Sequence, residues 1–141
     1  MSKYDPFLKY FDNYQEVYLR QEDFFDPIAE TLVNYLDVNS QISILDVGCG
    51  HGDFLAALHK VLGSKASYFG ITIAQHEIEH MVASYPFINP ILGNQQTLTK
   101  LVDNQTFDLA INFHTLSYLR QKDQLSVVNQ MLNILTPRGL L

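Results

Sequence analysis

The chain has 141 residues, 47% hydrophobic and 17% charged, the balance of one globular domain able to bury a core of its own. A net charge of −6, with few and scattered Lys and Arg, argues against a surface built chiefly to bind bulk nucleic acid. No apolar run approaches the roughly 18 residues of a membrane span. The N-terminus MSKYDPF lacks the basic-then-apolar order of a secretory signal, and the single Cys49 allows no internal disulfide, so a cytoplasmic protein is expected.

The first 25 residues stand apart from the rest. Tyr4, Phe7, Tyr10, Phe11, Tyr14 and Tyr18 recur at three- and four-residue steps, which predicts a helix with one aromatic stripe. Residues 1–25 are expected to form a helical cap, with Tyr10, Tyr14 and Tyr18 as a lid over a ligand or as plain packing. Residues 26–141 are expected to form the ligand-binding domain. Asp26-Pro27 reads as an N-cap with proline at the first helical position, and Ile28, Leu32, Tyr35 and Leu36 continue one apolar face.

From Ile42 the pattern alternates. Ile42–Val47 predicts a strand, Phe54, Leu55, Leu58, Val61 and Leu62 an amphipathic helix stopped by Gly63, and Ser67–Ile71 a second strand. Gln75–Ser84 predicts a helix with Ile78, Met81 and Val82 inward. A strand over Phe87–Leu92, a short helical segment at Leu98–Val102 and a buried strand over Phe107–Phe113 follow. Gln124–Leu135 predicts a helix with Leu125, Val128, Leu132 and Leu135 inward, ended by Pro137 and Gly139. Strands separated by helices of this length imply parallel pairing, hence an α/β fold: an open, mostly parallel sheet with helices on both faces. A further strand starts with Gly139-Leu140-Leu141, so the sheet is expected to be truncated after the fourth strand or at the start of the fifth. Either the natural chain continues, or an oligomer or partner chain completes a sheet whose edge is otherwise exposed.

Between the first strand and the next helix lies Leu45-Asp46-Val47-Gly48-Cys49-Gly50-His51-Gly52, at the carboxyl end of the sheet where ligands of such folds bind. Gly48 and Gly50 allow backbone angles and a close ligand approach that a Cβ would block. Asp46 is placed to brace the loop amides or to meet a cationic group of the ligand. Where dinucleotide folds have a third glycine this chain has Asp53, which would repel a diphosphate, and no Gly-Lys-Ser/Thr of a P-loop follows. A phosphate-free ligand is favoured.

DVGCGHG resembles the first motif of the class I S-adenosylmethionine-dependent methyltransferases, FDLAINFHTLSYL resembles the segment around that family's fourth strand, and LNILTPRGLL its helix-then-turn ending. The resemblance covers roughly residues 25 to 141. It implies a Rossmann-like sheet, S-adenosylmethionine at the glycine loop and methyl transfer to a nucleophile. Carried over by position, Asp46, Gly48, Cys49, Gly50 and Gly52 hold the cofactor at the first motif, Thr72 and Ile73 at the end of the second strand, Asn94 after the third and Asn112 after the fourth. Thr72 and Asn94 stand where the family usually has carboxylates; Asn94 keeps an oxygen for the adenine amino group without its charge. His114 is the candidate catalytic residue, as a base or as an acceptor contact, although methyl transfer from a sulfonium requires alignment more than a base. Cys49 reads as a small packed residue.

His76-Glu77-Ile78-Glu79-His80 matches the zinc-protease HExxH pattern. Glu79 charges a helix side that such sites keep apolar, no third ligand follows in sequence, and the helix is expected to lie away from the glycine loop, so no metal is assigned. The expected function is transfer of a methyl group from S-adenosylmethionine to a small-molecule or lipidic acceptor. The alternative is a truncated, non-catalytic binding or interaction module on the same fold.

Overall fold

The computed structural model describes residues 21–141, with side chains from residue 24 onwards. The aromatic stripe from Tyr4 to Tyr18 lies outside the described residues. Helix α1 (Gln21–Val33) precedes β1 (Ile42–Val47), α2 (Asp53–Leu62), β2 (Ala66–Thr72), α3 (Gln75–Ser84) and β3 (Ile88–Leu92). The short α4 (Leu98–Leu101), β4 (Phe107–Ile111), α5 (Gln121–Asn133) and β5 (Leu135–Leu140) follow. The strands run in the order β3-β2-β1-β4-β5 with every neighbouring pair parallel, as right-handed crossovers through helices require. This is the expected open α/β sheet, Rossmann-like in its strand order.

β1 lies at the centre, and its alternation separates the two halves of the core. Ile42 and Ile44 join Phe54, Leu55 and Leu58 of α2 and Met81 of α3 on one face; Leu45 and Val47 join Leu98, Val102, Val127 and Met131 on the other. A one-residue slip would exchange those sets, so the six-residue register with β2, Ile42 opposite Ala66 through Val47 opposite Ile71, is tightly specified. α1 packs on the first face. Phe25 meets Phe54 at 5.3 Å and Phe113 at 5.8 Å between ring centroids, and Lys60 pairs with Asp26 at 3.1 Å. The exposed ion pair contributes little beside the aromatic contacts.

Four expectations are corrected. Asp26-Pro27 does not start a helix: Pro27 lies inside α1, because Phe25 and Ala29 on either side are both held by the same core. On α3, Met81 is buried but Val82 is 60% exposed. On α5 the inward residues are Val127 and Met131, while Leu125 and Leu132 are 63% and 51% exposed. Helical periodicity admits either stripe there. The choice is made by the entry into β5, where Phe107 N–H donates to Ile134 O at 2.8 Å and turns Val127, Met131 and Ile134 inward. Finally, β5 forms across Pro137 and Gly139, which were expected to be a helix stop. Proline is tolerated there because the β4–β5 ladder is irregular, its register shifting between the Phe107–Leu135 and Leu109–Leu140 pairs that flank Pro137 and Gly139.

Two adjacent residues on α5 therefore differ sharply in cost. Met131→Ala should destabilise the chain by about 2–5 kcal/mol, whereas Leu132→Ala should change it by no more than about 0.5 kcal/mol. Urea unfolding measures both, and equal losses would show that α5 is rotated from this placement.

Candidate functional site

Strand order reverses direction at β1 and β4, so the loops after these strands meet at the carboxyl edge of the sheet, where open α/β folds bind their ligands. The loop after β1 is a tight bend. Gly48 N–H and Cys49 N–H both donate to Ile71 O, at 2.8 and 2.9 Å, and Gly52 N–H donates to Cys49 O at 3.0 Å. Gly48, Gly50 and Gly52 have φ of 82°, 56° and 87°, the left-handed region that favours glycine. A Cβ on Gly48 would come within 2.4 Å of the Thr115 side chain, and one on Gly52 within 2.8 Å of Ile88 Cδ1. At those two positions the missing side chain makes room for the protein itself.

Asp46 does not brace the Gly48 and Cys49 amides, which β2 takes. The side chain is 2% exposed and its Oδ1 has no hydrogen-bond partner. Burial pushes its carboxyl up to about 7. Cys49 packs over Gly70, with Sγ 3.7 Å from Met81 Sδ; burial first, then Asp46 and Glu77, pushes its thiol well above the usual range, against a nucleophilic role.

At the end of β2, Thr72 is buried and its hydroxyl donates to the Glu77 carboxylate while accepting from Ala74 N–H at 3.1 Å. Glu77, in the first turn of α3, is itself 5% exposed. Ile73 follows, half-buried, in the bend between β2 and α3. After β3, Asn94 Oδ1 accepts from Gln96 N–H at 3.0 Å and caps the 3-10 turn Gln95–Thr97. After β4, Asn112 Nδ2 donates to Gln95 Oε1 at 2.9 Å, and its Oδ1 lies 2.8 Å from Thr115 Oγ1 and accepts from Leu116 N–H at 3.2 Å. Thr115 Oγ1 also stands 3.2 Å from Val47 O. The loops after β1, β3 and β4 are thus tied together by Asn112, Gln95 and Thr115.

His114 caps the turn Thr115–Tyr118 with φ 61° and an exposed ring. A non-glycine residue held there stores strain of about 1–3 kcal/mol, a feature that clusters at functional sites. His76 and His80 do not lie away from the glycine loop: their ring centroids stand 5.9 and 4.8 Å from that of His51. Glu77, the acidic residue of the HExxH pattern, is engaged with Thr72, and among the described residues no group of three His, Cys, Asp or Glu side chains is arranged to hold a metal.

A family model described as a methyltransferase domain matches residues 44–139. The chain belongs to the methyltransferase-domain family. No curated protein sequence matches it. Among solved structures it is similar to an arsenic(III) S-adenosylmethionine methyltransferase from Chlamydomonas reinhardtii, with 22% identity and a TM-score of 0.63 over 71% of this chain and 37% of that one. It is similar to the S-adenosylmethionine-bound amino pentose methyltransferase CalS10 from Micromonospora echinaspora, with 20% identity and a TM-score of 0.69 over 91% and 52%. It is also similar to the plantazolicin methyltransferase BpumL in complex with S-adenosylhomocysteine, with 22% identity and a TM-score of 0.71 over 94% and 50%. At these identities the likeness is one of fold, and the chain spans about half or less of each structure's length.

Within this methyltransferase domain, Asp46, Gly48, Cys49, Gly50, Gly52, Thr72, Ile73, Asn94, Asn112 and His114 all fall on the loops and strand ends along the carboxyl edge of the sheet. Three contributors escaped the sequence reading. Glu77 had a signal: it stands four residues before Met81, so a carboxylate occupies the buried stripe of α3. Gln95 and Thr115 had none, since apart from the Thr115–Asn112 contact within one loop their partners lie 17 to 68 residues away.

The Asp46 shift has a sign that can be measured. Between the ordinary aspartate range and about 7 the folded chain holds a proton that the unfolded chain releases, so stability falls as pH rises through that window. Asp46→Asn should therefore be more stable than the wild type at about pH 8, by up to about 4 kcal/mol, with the advantage shrinking towards about pH 5. Urea unfolding at the two pH values checks this, and a pH-independent difference would contradict a buried, unpaired carboxylate.

Proposed function

We propose that this methyltransferase domain binds S-adenosylmethionine in the crevice between the loops after β1 and β4, and that it serves transfer of the methyl group to a small-molecule or lipidic acceptor. The observation that carries the reading is the buried, unpartnered Asp46 oxygen beside a bend of bare backbone. Such a group suits the ammonium of an amino-acid moiety. Asp53 heads α2 and accepts the Tyr85 hydroxyl at 2.9 Å, so the helix end that a diphosphate would use is already acidic. The residues present fit the cofactor on these grounds.

When bound, the cofactor supplies an electrophilic methyl group. Asp46 holds the ammonium, and the main chain of Gly48, Cys49, Gly50 and Gly52 bounds the ligand. Glu77, steadied by Thr72 beside Ile73, provides the carboxylate for the ribose hydroxyls that the residue type at Thr72 lacks. Asn94, whose Oδ1 accepts from Gln96 N–H, is offered as the residue beside the adenine amino group. Asn112 shapes the acceptor side through Gln95 and Thr115. His114 is offered there as a proton acceptor or acceptor contact. The contacts of Phe25 with Phe54 and Phe113 anchor α1 beside the residue preceding His114, and residues 1–25 are proposed as a cap on that side. Relatives of the fold that act on an amino pentose and on plantazolicin favour a small acceptor.

The module reading draws on the same site, because the Thr72 hydroxyl and one lone pair of Asn94 Oδ1 are already engaged within the protein. Calorimetry with S-adenosylhomocysteine decides between them. The wild-type chain should bind, and Glu77→Gln should weaken binding by about tenfold while the fold, followed by circular dichroism, is kept. No binding by a folded wild-type sample would favour the module, and undiminished affinity in Glu77→Gln would remove that residue from the site.

A further inference from the structure

His51 occupies the glycine loop between Gly50 and Gly52, and its ring meets His80 edge to face at 4.8 Å and His76 at 5.9 Å between centroids. His76 and His80 are one turn apart on α3, so three imidazoles join the loop to that helix. Among the described residues, the other titratable groups around them are Glu77 and Glu79 on α3, Asp53 at the start of α2, Tyr85 just after α3 and Cys49 in the loop. Each carboxylate already accepts a hydrogen bond: Glu77 from Thr72, Glu79 from Gln75 at 3.3 Å and Asp53 from Tyr85. Neutral rings pack at these separations, whereas two protonated ones would place like charges side by side.

We propose that His51, His76 and His80 form an acid-released clasp that holds the glycine loop against α3, so that nucleoside affinity falls on acidification. The affinity half of the proposal rests on the ligand reading given above; the loop half does not. Burial, reinforced by His80 and His76 and opposed by Glu77 and Asp53, holds the His51 proton affinity below its ordinary value in the closed arrangement. Any arrangement that returns the ring to water binds a proton more tightly, so acid shifts the loop towards it.

The test compares the whole chain with His76→Gln/His80→Gln at about pH 7.5 and about pH 5.5. Amide hydrogen exchange over residues 50–52, corrected for the intrinsic rate, should accelerate about fivefold or more on acidification in the wild type and by a clearly smaller factor in the variant, which keeps His51 but not its two partners. Affinity for S-adenosylhomocysteine should fall about fivefold further in the wild type than in the variant; the loss due to Asp46 protonation is common to both and cancels. Equal changes in the two proteins overturn the clasp. If neither binds the nucleoside at either pH, the ligand reading fails, and the exchange rates still decide whether the clasp exists. His80→Gln alone, at an exposed position, repeats the comparison should the double variant not fold.

Discussion

The site depends on one carbonyl. Ile71 O, at the end of β2, receives the N–H groups of both Gly48 and Cys49, which bends the chain sharply as it leaves β1. A bend that tight forces φ of 82° on Gly48, and the absent Cβ leaves the space that Thr115 fills from the loop after β4. Thr115 in turn is held by Asn112 and Gln95. The switch point is therefore a set of loops locked to one another, and a side chain at Gly48 would disturb three of them at once.

Against this rigid frame the two buried carboxylates behave differently. Glu77 is buried and receives the Thr72 hydroxyl. Asp46 is buried with one oxygen unmatched, which costs folding free energy whenever it is ionised. A chain selected for stability alone would hold an apolar residue at the end of a central strand, as β1 does at Ile42, Ile44, Leu45 and Val47. An unpaired charge placed beside a bend of bare backbone is the kind of local cost that binding sites carry and cores do not.

Residue chemistry and topology act together at the end of β2. The strand ends in threonine, and the carboxylate arrives instead from the first turn of α3, where parallel crossover geometry brings the helix start back beside the strand end. The same crossover brings His76 and His80 to His51. A histidine pair that looks like a chance match along the chain is thereby part of the surroundings of the glycine loop.

The order of strands and helices, the parallel sheet and the glycine bend were legible in the sequence because they follow from short-range rules. Period-two and period-3.6 patterns mark elements, and three glycines within five residues after a strand mark a turn of positive φ. Which stripe of α5 faces inward was not legible, because Leu125, Val128 and Leu132 satisfy helical spacing as well as Val127, Met131 and Ile134 do. Nor were the passage of α1 through Pro27, the partnership of Thr72 with Glu77, or the tie from Asn112 through Gln95 to Thr115. Each of those is set by contacts between segments 5 to 68 residues apart, such as Thr115 with Val47 and Thr72 with Glu77, or by the rotation of a helix as it enters the next strand. Local sequence determined which elements form; only their packing decided which side chains meet.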